Sequence, residues 1–142
     1  MSELKWHGDE AEKLILEVVM KALRTGAEAI LTEAIDAAPV DTGTLRRSGT
    51  VTVGKLPDSA RIYKAAKSGN EMKDAFPDPI GEKKAVYISF NTPYACRMHE
   101  DLGYTPKRGG GPKYLETPFK ANKDKVLEYV DKQIRKALKE AP

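Results

Sequence analysis

The chain has 142 residues, 40% hydrophobic and 32% charged, with a net charge of +3, which suits one water-soluble domain able to bury a core. Its single cysteine, Cys96, excludes an internal disulfide framework and a multi-cysteine zinc site, and a reducing, intracellular setting is expected. No apolar run approaches the roughly 18 residues that span a bilayer, and the start, MSELKWHGDE, lacks the features of a signal peptide. Charge is uneven: residues 1–38 hold 8 acidic and 4 basic side chains, about −4, so the overall +3 places about +7 on the remainder. Such asymmetry fits contact with nucleic acid or an acidic protein neighbour, beside the plainer reading of a solvated mixed surface.

Residues 9–37 predict a long helix. Leu16, Val19, Met20, Leu23, Ala27, Ile30, Leu31 and Ala34 recur at steps of three and four. Asp9 followed by Glu12 reads as a capping box at its start, and Gly26 inside it suggests close packing or a bend. A helix of that length reaches about 42 Å, so one end is expected to overhang the core. Pro39 ends it. Residues 38–51, APVDTGTLRRSGTV, then form a corner in which Asp41, Thr42 and Gly43 turn the chain and Leu45–Ser48 is short and amphipathic.

After the corner the apolar period changes. Residues 51–53 and 61–65 read as strands separated by the turn residues Leu56, Pro57 and Asp58. Residues 67–84 predict a long exposed loop. Residues 85–91, AVYISFN, give the strongest strand, with Val86, Ile88 and Phe90 on one face. Residues 94–102 fit either a strand or a short helix. Residues 103–112 hold four glycines, two prolines, Lys107 and Arg108 without an acid, and predict a mobile basic loop. Lys113, Tyr114 and Leu115 are candidates for re-entering the sheet. Thr117 and Pro118 read as a cap and first residue of a last helix, with Phe119, Val126, Leu127, Val130, Ile134, Ala137 and Leu138 on its apolar face. The fold class expected is α+β: a long N-terminal helix and a C-terminal helix packed on an antiparallel sheet, residues 1–142 forming one domain.

Catalytic chemistry has little to stand on. His99, Glu100 and Asp101 are consecutive, so their side chains diverge and do not converge on one metal. A Cys96–His99 nucleophile pair is conceivable on a helix, although a buried cysteine near a hydrogen-bonded histidine is the commoner outcome. The Gly109–Lys113 run lacks the spacing of a phosphate loop. One Asp-Thr-Gly triplet builds no aspartic-protease site without a symmetric partner. Two alternatives stay open: a hydrolase or nuclease accessory using His99, Glu100 and Asp101, and a non-specific DNA-binding module using the basic C-terminal half.

The run from Pro39 through Asp41, Thr42, Gly43, Leu45 and Arg46 to Ser48, after a long helix, resembles the signature of a phage family. Tyr94 and Ala95, then His99 to Leu102, then Lys113, Tyr114, Leu115 and Glu116 resemble its second half, and a helix opened by Pro118 and Phe119 closes the chain. This is the gene-product-ten-like family of tail-component, or minor capsid, proteins of long-tailed phages and prophages; the resemblance covers about residues 10–140. It implies a virion structural protein of the neck, completing the tail or joining it to the head, with no catalytic residues, cofactor or metal. It further implies an oligomeric ring of copies of itself, contacts with head-connector and tail proteins, no membrane, and assembly in the bacterial host cytoplasm. The basic loop would suit non-specific contact with passing DNA. Within that frame Asp41 is expected to cap the short helix, Gly43 to allow the turn, Leu45 to plug the core, and Arg46 to pair with Glu100.

Overall fold

Among the described residues, seven elements follow one another: helix α1 (Glu3–Ala37), helix α2 (Thr44–Arg47), strand β1 (Gly49–Val53), helix α3 (Ser59–Lys67), strand β2 (Val86–Phe90), helix α4 (Ala95–Glu100) and helix α5 (Glu116–Glu140). The structure, a computed structural model, describes residues 3–40, 42–72, 84–103 and 109–140, with side chains from residue 10 onward. The architecture is α+β: α1 and α5 with a small two-stranded antiparallel sheet. Gly49 stands opposite Phe90, Val51 opposite Ile88 and Val53 opposite Val86.

Helix α1 has 35 residues, about 52 Å of rod, because nothing in it breaks the backbone before Pro39. It begins at Glu3, so Asp9 lies within the helix and the expected capping box is not its start. Ala27 and Leu31 bury against Val51, with Ile35, Val86, Ile88 and Phe90 around them; this face of the sheet sits on the C-terminal part of α1. Toward the other end, residues 10–14 are all exposed. Strand β1 is buried along Thr50–Val53, whereas every residue of β2 is only partly covered.

Helix α5 runs antiparallel to α1: Asn122 Nδ2 donates to Glu33 Oε2 at 2.8 Å, and one helical turn on Val126 meets Gly26. The contact stripe is Pro118, Asn122, Val126 and Val130, four-residue steps along one line. The apolar face expected from sequence was wider. Phe119, Leu127 and Leu138 are 47%, 60% and 59% exposed, because this helix packs chiefly on one neighbour and that neighbour covers one stripe. Among the described residues no helix is long and apolar enough to cross a membrane.

Three local expectations are corrected. Residues 61–65 are helical, inside α3. The Asp58 side chain accepts from the Arg61 N–H at the helix start, and Ile62 and Ala66, one turn apart, are buried. Lys113, Tyr114 and Leu115 form a turn and not a strand, with Lys113 at φ 58°. Helix α5 starts at Glu116, so Thr117 lies in its first turn and does not cap it. The ambiguous stretch 94–102 contains a helix, α4. Most of the 67–84 loop, residues 73–83, lies outside the described residues, as do 104–108 of the basic loop.

Gly26 gives a test of the interhelical packing. A Cβ there would stand 2.5 and 2.7 Å from the two methyls of Val126, a stiff β-branched side chain. Helix propensity favours alanine by about 1 kcal/mol, but overpacking costs about 1–3 kcal/mol, so packing decides the sign. Gly26→Ala is therefore expected to lower the urea midpoint. In a Val126→Ala background the same substitution should become neutral or stabilising. Urea denaturation of the four proteins checks this; equal effects in both backgrounds would refute the close contact.

Candidate functional site: a corner and a latch

The corner begins where α1 runs out of partners. Its last carbonyls need donors, and its last turn contains no basic residue. Arg46, on α2, supplies them: Nη2 donates to Asp36 O at 3.0 Å and Nε to Ala38 O at 2.9 Å. The expected Arg46–Glu100 pair does not form. The guanidinium faces the open carbonyl end of α1, where its charge also complements the helix dipole, and Glu100 is held by Lys113. Arg47 does the same for α3, its Nε donating to Ala66 O at 3.0 Å.

Gly43 makes this orientation of α2 possible. Its φ of 86° is left-handed, and a Cβ would stand 2.6 Å from Arg47 Nη1. Thr42 Oγ1 and Thr44 Oγ1 lie 2.9 Å apart. Asp41, expected to cap α2, lies outside the described residues. Leu45 is 5% exposed and packs with Ala38, Ala95 and Tyr114, with Tyr94, Met98 and Leu115 against that cluster. Beside it, Ser48 Oγ donates to Leu45 O at 2.7 Å and accepts from the Asn91 N–H at 3.0 Å. Asn91, 5% exposed, also donates from Nδ2 to Ser48 O and accepts from Ser59 Oγ, both at 2.8 Å. Asn91 thus ties the corner, the end of β2 and the start of α3. Sequence reasoning passed over it, although a polar residue closing a strand before Thr92-Pro93 was a visible signal.

The second motif forms a latch between α4 and α5. The Glu116 N–H donates to His99 Nε2 at 3.1 Å, so that nitrogen is an acceptor; His99 Nδ1, 2.7 Å from Glu100 Oε1, is then the donor. The Lys113 N–H donates to His99 O at 2.7 Å, while its ammonium binds Glu100 and lies 3.6 Å from Glu116 Oε2. Tyr114 is 2% exposed and its hydroxyl donates to Ala95 O at 2.7 Å. Its ring meets Phe90 and His99 edge-on, at 4.9 and 5.1 Å between centroids. Burial pushes the phenol well above its ordinary range, with Cys96 and Tyr94 adding to the effect.

Corner and latch touch through the glycine run. Gly111 N–H donates to Ala37 O at 3.0 Å, and Val40 N–H donates to Gly109 O at 3.2 Å. Gly110 has φ 80°, and a Cβ there would stand 2.2 Å from Ala38 O, a backbone atom with nowhere to go. Residues 109–111 are therefore pinned to the end of α1, contrary to the expectation of a loop free along residues 103–112.

These bonds also define what the site does chemically. Both ring nitrogens of His99 are engaged, so it offers Cys96 no base; Cys96 itself is exposed, not buried as expected. Asp101 turns away to accept from the Gly103 N–H at 3.0 Å. Among the described residues no group of three or more His, Cys, Asp or Glu is placed to hold a metal ion. The polar side chains of both motifs act on backbone groups and on one another.

The latch carries a pH dependence of defined sign. The Lys113 ammonium, then His99, hold the Glu100 carboxyl below its ordinary value of 4.5, and Glu100 holds Lys113 above its ordinary 10.5. A depressed carboxyl contributes stability above its unfolded value and loses it as pH falls through the folded one. Glu100→Gln is expected to lower the urea midpoint at pH 7 by a margin that shrinks at pH 3. A margin unchanged between the two pH values would show the ion pair to be idle.

The family described as "Bacteriophage HK97-gp10, putative tail-component" matches residues 3–76, just over half of the chain's 142. That span holds α1, the corner, β1 and α3; it stops before β2 and the latch. No curated protein and no solved structure matches the chain. With its long helix turned at Gly43 and capped by Arg46, the chain belongs to the HK97-gp10-like family of phage tail-component structural proteins.

Proposed function

We propose that this protein is a non-enzymatic subunit of the head–tail connection of a long-tailed phage or prophage, acting as one domain in a ring of copies of itself. The observation that carries the reading is the use of the side chains of the two motifs and of Asn91 beside them. Arg46, Arg47, Ser48, Asn91, His99 and Tyr114 all bind backbone groups that join elements. Residues used in this way stiffen a shape, which is what a load-bearing joint between two particles requires and what a catalytic cleft does not supply.

The partners proposed are neighbouring copies, the head connector and tail proteins. The net-acidic flank of α1 would meet the more basic second half of the next copy, because contact between two different patches is the kind that closes a ring. The virion is its place of work, and assembly takes place in the host cytoplasm.

Deletion of the gene in the source phage tests this. Electron microscopy of the lysate should show filled heads and separate or defective tails. Normal, infectious particles from the deletion strain would contradict the proposal.

A further inference from the structure

The two edges of the sheet differ. Strand β1 is buried along Thr50–Val53, while β2 is partly exposed at every residue and, among the described residues, pairs with β1 alone. The ladder parity identifies its outward-facing groups. Gly54 N–H donates to Ala85 O at 2.8 Å, extending the register in which Thr52 opposes Tyr87 and Thr50 opposes Ser89. Antiparallel pairs alternate, so Tyr87 and Ser89 bond to β1, and the N–H and C=O groups of Val86, Ile88 and Phe90 point outward. Among the described residues nothing bonds to them.

Within the strand itself, three common protections are missing. Natural edge strands carry a lysine, a proline or a bulge that discourages pairing. The sequence of β2, VYISF, has no charge and no proline, and its register with β1 runs without a bulge. Two hollows lie beside it. One, of about 370 Å³, is lined by Val86, Ile88, Leu115 and Phe119 together with His99 and Glu116; the other, of about 330 Å³, has Ile88, Phe90, His99 and Tyr114 in its lining. A two-stranded sheet is also smaller than most sheets that stand in water.

We propose that the outer edge of β2 is a docking site for β2 of a second copy, the two strands running antiparallel about a two-fold axis at Ile88. The strand's own pattern selects this occupant. Reversed about Ile88, VYISF keeps apolar residues at its first, third and fifth positions and uncharged polar-tipped ones between. Val86 then faces the second copy's Phe90, Ile88 faces its counterpart, and Tyr87 faces Ser89. Apolar meets apolar on the face toward α1, and the paired strands bring no like charges together. The incoming Phe90 lies beside the first hollow and the incoming Val86 beside the second. Every outward N–H and C=O finds a counterpart. The pairing is isologous, so it closes at two copies and cannot propagate; it is separate from the ring contact, and either can fail without the other.

Single-cysteine proteins test the register. In a Cys96→Ser background, Tyr87→Cys and Ser89→Cys are prepared separately and oxidised alone or mixed. Residues 87 and 89 of opposite copies form a non-hydrogen-bonded pair, about 4.5 Å between Cα atoms, which is within disulfide reach; like residues are diagonal and farther apart. The expected result is a mixed cross-link forming at least about tenfold faster than either like pair. Sedimentation of the parent should show dimer rising with concentration. Equal rates in all three samples, or no cross-link at all, would overturn the proposal. A Tyr87→Cys protein that links only to a different virion protein would overturn it in favour of a foreign strand on the same edge.

Discussion

Everything in this structure depends on how the carbonyl end of α1 is satisfied. A long helix leaves its last carbonyls without intrahelical donors. Here the donors come from two distant parts of the chain: Arg46 on α2 reaches Asp36 O and Ala38 O, and Gly111, between α4 and α5, reaches Ala37 O. Fixing that end therefore fixes both halves of the molecule relative to the helix. The requirement is steric as well as polar, because Gly110 approaches Ala38 O too closely for any side chain.

From that point the contacts run in a closed circuit. The corner aims β1 onto α1 through Val51, Ala27 and Leu31. Ser48 and Asn91 hold the end of β2 against the corner. Tyr114 and His99 fasten α4 to the start of α5, and α5 returns along α1 to Gly26. Each hydrogen bond is worth only about 1 kcal/mol, so rigidity comes from the circuit and not from any one bond. The buried members, Leu45, Tyr114 and Ala38, add the apolar contact that keeps water from those bonds.

Much of the fold was legible because long periodic patterns are hard to misread. Helix α1, strands β1 and β2, and α5 all stood out by period. Failures came where a segment was too short or a partner too distant. Five residues, 61–65, do not distinguish alternation from half of a helical face; the signal missed was Asp58 as a cap with Ile62 and Ala66 one turn apart. Lys113, Tyr114 and Leu115 looked like a strand because Tyr and Leu suit one, but a positive φ at Lys113 turns the chain. An apolar face on α5 was visible, but how many neighbours would cover it was not. For the site, sequence offered Arg46 and Glu100 as opposite charges and could not show that carbonyls stood nearer the guanidinium. Glycines 109–111 read as freedom, whereas Gly110 is there because backbone packs against backbone.

The most direct measurement is a double-mutant cycle of unfolding free energy with Arg46→Ala and Gly110→Ala. Both substitutions act at Ala38 O, one by removing its donor and the other by forcing a methyl against it. The account predicts that each is destabilising by more than about 1 kcal/mol and that the pair is non-additive by at least about 0.5 kcal/mol. Two small, strictly additive effects would contradict the claim that the end of α1 is where the two halves of the chain are joined.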